Sequence, residues 1–62
     1  MNVNKLRGLM AENNISRKYL AKKLGISVTS ITNKLNGHTP FKIAEIQKVS
    51  EIFNVDINIF FK

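Results

Sequence analysis

The sequence predicts an all-α fold, a compact bundle of four to five short helices in one domain over residues 1–62. Three observations predict it. Apolar residues recur at helical three-and-four spacing near both ends of the chain. The middle carries two closely spaced helix starts, each followed by a glycine stop. No pair of segments alternates apolar and polar residues as paired strands would.

The first helix is expected over Val3 to Glu12, with Asn2 as its cap, Val3, Leu6, Leu9 and Met10 as an inward stripe, and Asn13-Asn14 as its end. The second opens at Ser16, an N-cap whose hydroxyl can accept from a free helix amide, and occupies 17–24. Ile15 and Leu20 flank this start at the spacing of a hydrophobic staple. Gly25 then supplies the positive φ that a left-handed stop requires. The third helix follows at once over 28–36, with Ser27 as N-cap, Ile26 and Ile31 as a second staple, and Asn36-Gly37 as the stop.

Val28, Thr29, Ile31 and Thr32 are β-branched and favour strands in isolation. The run Ser27 to Asn36 does not alternate, however, and no second strand exists to pair with it. A fourth helix carries Ile43, Ile46, Val49, Ile52 and Phe53 inward and stops at Asn54. Its start is open between Thr39 with Pro40 in the first helical position and a start near Lys42, a poor cap. A final turn is expected after Asp56, where Val55 and Phe60 have staple spacing and Ile57, Ile59, Phe60 and Phe61 are too apolar to be left free.

Sixty-two residues with 44% hydrophobic content hold one small core. No cysteine is present to staple it, and a lone histidine cannot form a metal cluster, so helix packing or a partner chain must supply the stability. No apolar run approaches the roughly 18 residues that span a bilayer, and the start lacks the apolar core of a signal peptide. A cytoplasmic location with no membrane partner is expected.

The net charge of +6 matters through its placement. Between Glu12 and Glu45 every charge is basic, from Arg17, Lys18, Lys22, Lys23, Lys34 and Lys42. The same segment, Ile15 to Gly37, outlines a helix-turn-helix DNA reader. A basic surface coinciding with a helix that fits a groove is the electrostatic footprint of a nucleic-acid binder.

On a helical wheel Ile31 and Leu35 share one face of the third helix, Asn33 lies nearly opposite, and Thr29 and Thr32 flank the open side. The expected base readers are Val28, Thr29, Thr32 and Asn33. The Asn33 amide pairs a donor with an acceptor, matching the N6 and N7 edge of adenine, whereas the threonines offer a hydroxyl or a methyl. Val28 is open between a core position and a methyl left free for thymine. Arg17, Lys18, Lys22, Ser27, Asn36 and Lys42 are the expected backbone contacts, and Lys23 and Lys34 read as solvated charge. Arg17 sits against the positive end of its own helix, a placement that a phosphate alongside would make favourable.

The segment SRKYLAKKLGISVTSITNKLNG resembles the helix-turn-helix of the phage Cro and repressor family, also called XRE-like. Leu20, Ala21, Leu24, Gly25, Ile26, Ser30, Ile31 and Asn36-Gly37 carry the likeness, and IAEIQKVSEIFNV resembles the family's fourth helix. The resemblance implies a lambda-repressor-like bundle that binds double-stranded operator DNA, usually as a dimer on two-fold symmetric sites. It also places the base-reading positions on Val28, Thr29, Thr32 and Asn33. Two residues depart from the family pattern: Arg17 stands where glutamine is frequent, and Lys34 where an apolar residue is usual. The second departure leaves the packing to Leu35, with the Lys34 stem along the rim.

The expected function is sequence-specific operator binding by a transcriptional regulator, either a stand-alone Cro-like protein or a repressor headpiece. A protein-interaction module, such as an antitoxin or a phage factor, is the alternative. No enzymatic activity is expected, because the acids lie apart on mostly exposed helix faces and His38 has no acid, cysteine or second histidine beside it. No catalytic residue, metal, cofactor or small-molecule ligand is therefore assigned. Ile57, Ile59, Phe60 and Phe61 exceed what one helix turn can hide in so small a core, and they are the expected interface of a homodimer.

Overall fold

Helix starts follow from side chains that reach back to free amides. In the computed structural model, which describes residues 1–61, α1 spans Val3–Glu12, α2 Arg17–Leu24, α3 Val28–Leu35 and α4 Ile43–Phe53, and a closing 3-10 helix covers Ile57–Phe61. Asn2 Oδ1 accepts from the Lys5 amide at 3.3 Å, Ser16 Oγ from Tyr19 at 3.1 Å and Ser27 Oγ from Ser30 at 3.0 Å. Each bond satisfies one of the amides that a helix leaves unpaired at its start.

The stops share one hydrogen-bond pattern. After α2 the Ile26 amide reaches back to the Ala21 carbonyl at 3.0 Å and the Gly25 amide to Lys22 at 3.2 Å, with Gly25 at φ 70°. After α3 the His38 amide bonds Asn33 at 2.9 Å and the Gly37 amide bonds Lys34 at 3.2 Å, with Gly37 at φ 82°. Asn14 and Asn54 take the same left-handed conformation behind α1 and α4, at φ 55° and 53°. Such paired bonds recapture the orphan carbonyls of the last turn and reverse the chain within two residues.

Four connections this short force neighbouring helices together. The structure packs α2 on α3, α4 on α2, and both α1 and α4 on the closing helix. Leu6, Leu20, Ile31, Val49 and Phe60 are completely enclosed, and Met10, Ala21, Leu35, Phe41 and Ile46 complete the core. Enclosing one such aliphatic or aromatic side chain contributes about 1.5–3 kcal/mol. The ends of the fold are also joined, since the Asn2 amide donates to the Phe60 carbonyl.

Several expectations are corrected. The third helix ends at Leu35, with Asn36 as its cap rather than its last residue. Of the two starts left open for the fourth, the structure takes the later, at Ile43 after Lys42, whose side chain does not cap it; Glu45 does so in reverse, its Oε1 accepting from the Lys42 amide at 2.7 Å. Ile43, expected in the inward stripe, is 62% exposed, because the first residue of α4 overhangs the core edge.

Lys34 is not solvated charge. It is buried, as is Glu45, and its Nζ lies 2.6 Å from Glu45 Oε1. A second, longer bond of 3.4 Å runs from Nζ to the Pro40 carbonyl, and the ammonium stands 5.8 Å from the centre of the Phe41 ring. Helical spacing places Lys34 next to the inward face, and a buried carboxylate makes enclosure tolerable for the cation.

Candidate nucleic-acid interface

The candidate reading surface of α3 is what remains after its apolar side is enclosed. Ile31 and Leu35 point into the core, which turns Val28, Thr29, Thr32 and Asn33 outward or to the edge. Val28 is 47% exposed, so its methyls are open rather than packed. Thr29 is exposed, while Thr32 and Asn33 are half-buried. Among the described residues, no polar side-chain atom is both buried and unpartnered, so the Thr32 hydroxyl and both ends of the Asn33 amide still reach solvent. The first turn of α3 holds no acid.

On α2, beside this surface, the cations stand without carboxylates. Arg17, Lys18 and Lys22 are exposed on α2, whose first turn also lacks an acid. Among the described residues, none of the three forms an ion pair. Lys23 lies 5.5 Å from the centre of the Tyr19 ring on the same helix. Lys42 is exposed at the mouth of α4, and His38 lies on the loop surface with its backbone amide engaged. Ser27 uses its oxygen as a cap, which leaves its hydroxyl hydrogen to donate outward.

The Glu45 carboxyl responds to its surroundings in opposing ways. Burial raises its pKa, but the hydrogen bonds from Lys34 and from the Lys42 amide, with the attraction of both lysine charges, outweigh burial and hold it below its ordinary value. The group is therefore an anion that fixes the loop after α3, not a proton donor.

Sequence reasoning missed Arg7. This exposed residue of α1 donates through Nη2 to the Leu35 carbonyl and to Asn36 Oδ1, both at 2.9 Å. Its position on a polar face gave no sign of a partner 28 residues away. At the far end of the chain Phe60, expected in the dimer interface, is instead fully enclosed in the core and is not available to a second copy. Phe61 beside it is 55% exposed, and Ile57 and Ile59 are half-buried against the core.

A family model described as helix-turn-helix matches residues 6–60. The chain belongs to that family, of the Cro and repressor type. Members of this helix-turn-helix family are DNA-binding transcription regulators and typically not enzymes. No curated protein and no solved structure matches the chain significantly. Among the described residues, no group of histidines, cysteines or acids could hold a metal, and no helix is long and apolar enough to cross a membrane.

Proposed function

We propose that this helix-turn-helix protein regulates transcription by binding an operator in double-stranded DNA, with α3 in the major groove. The supporting observation is the side of α3 away from the core, where the half-buried Asn33 amide still reaches solvent and the first turns of both α2 and α3 hold no acid. Asn33 reads adenine, Thr29 and Thr32 make softer contacts, and the Val28 methyls meet thymine. Arg17, Lys18, Lys22, Ser27, Asn36 and Lys42 hold the backbone and set the register.

The readers select sequence; the cations supply affinity. Asn33→Ala is expected to relax preference at one base pair, costing about 1–3 kcal/mol on the preferred site, while Lys22→Ala weakens all sequences similarly. Selection of bound duplexes from a random pool, followed by binding measurements on the winners, checks both. Affinity should fall by decades as salt rises, with about one unit of log-log slope for each phosphate neutralised. A flat salt response would sink this reading and favour a protein partner instead.

Two copies on a two-fold site would double the contacts. Phe61, with the half-buried Ile57 and Ile59, provides the apolar surface for that pairing. It borders a hollow that Met1, Val3, Pro40 and Ile43 also line.

A further inference from the structure

We infer that Arg7 and Asn36 act as one phosphate-gripping unit at the C-terminal end of α3, with Arg7 both contacting the DNA backbone and positioning the Asn36 amide. The inference rests on the DNA-binding reading above. A guanidinium has donors and no acceptor, so its contact with Asn36 determines which way the amide lies. The oxygen faces Arg7, which leaves the Nδ2 hydrogens unused among the described residues, as are those on Arg7 Nε and Nη1. Both side chains are exposed.

Electrostatics gives this arrangement a purpose. The C-terminal end of a helix carries partial negative charge, which repels a phosphate. By donating to the Leu35 carbonyl, Arg7 places a full positive charge on that end and reverses its sign. A planar fork of donors beside an oriented amide then suits the oxygens of one phosphate. Asn36 has little reach of its own; it is directional only while its oxygen is held.

Fluorescence anisotropy on the selected duplex, measured across a salt series, tests the unit with Arg7→Gln, Arg7→Lys, Asn36→Ala and the double variant Arg7→Gln/Asn36→Ala. Arg7→Gln is expected to weaken binding about tenfold, the scale of one charge-assisted hydrogen bond. It should also flatten the log-log salt slope by about one unit. Arg7→Lys should keep the slope, and Asn36→Ala should weaken binding without changing it. The double variant should bind about as well as Arg7→Gln alone, since the amide is already released. An unchanged slope in Arg7→Gln, or additive losses, would overturn the inference.

Thermal melting of each variant sets a temperature at which all are folded, and a melting shift with no change in slope assigns Arg7 a structural role only, which also overturns it. A second arm needs no DNA: nitrogen relaxation of the Asn36 side-chain amide should report a high order parameter in the native protein and a low one in Arg7→Gln. A mobile amide in the native protein defeats the positioning claim. If the native protein binds no duplex, the DNA reading and the phosphate unit both fall, whereas native binding with an insensitive Arg7 removes this inference alone.

Discussion

Lys34 brings a charge into the interior from the same helix that carries the proposed base readers, and its consequences are electrostatic before they are steric. Lys34→Ala leaves the buried Glu45 carboxylate without its ammonium and is expected to cost about 3 kcal/mol in urea unfolding. The double change Lys34→Met/Glu45→Leu removes both charges and should recover most of that loss, since well-packed apolar groups often match a buried pair. The sign with pH follows from the depressed Glu45 pKa. Its stabilising contribution is full above the ordinary glutamate value of about 4.5 and is lost as pH falls through the lower folded value. Melting temperature measured from neutral pH downward should therefore fall less steeply in Glu45→Gln than in the native protein.

At the scale of elements, glycine acts in two opposite ways. Gly8 lies within α1 on an exposed face, with open space where a Cβ would sit, so Gly8→Ala should stabilise by about 0.5–1 kcal/mol. Gly25 also has open space around it, but at φ 70° an L side chain is strained, and Gly25→Ala should destabilise by about 1 kcal/mol. Chemical unfolding of the two variants checks the difference in sign. Boundaries such as these were legible in the sequence because caps and stops are local: Asn2, Ser16, Ser27, Gly25 and Asn54 each act within a few residues. The start of α4 was not legible, because its capping oxygen comes from Glu45, inside the helix, and is held by Lys34 from another one. Ile43 misled for a related reason: periodicity assigns a face but not how far that face extends past the core.

For the whole molecule, the arrangement of charge was readable from the chain, whereas contacts between distant segments were not. The block from Arg17 to Lys23 announces a basic surface by composition alone. Arg7 meeting Leu35 and Lys34 meeting Glu45 depend on how helices pack, and no local pattern encodes that. The aromatic pair at the end of the chain shows the same limit, since neighbouring phenylalanines divide between interior and surface. Phe60→Ser should abolish cooperative melting, while Phe61→Asp should leave the melting temperature nearly unchanged. Sedimentation of Phe61→Asp on and off DNA tests the pairing surface, and undiminished self-association would move the interface elsewhere.

The open side of α3 contributes little to the interior, for Ile31 and Leu35 do the anchoring while Val28, Thr29, Thr32 and Asn33 face away or lie at the edge. The target preference proposed for these residues is thereby uncoupled from folding. Under the proposed function, a lineage or an engineer can rewrite those four letters to address new promoters and inherit the same scaffold, with its ionic grip intact.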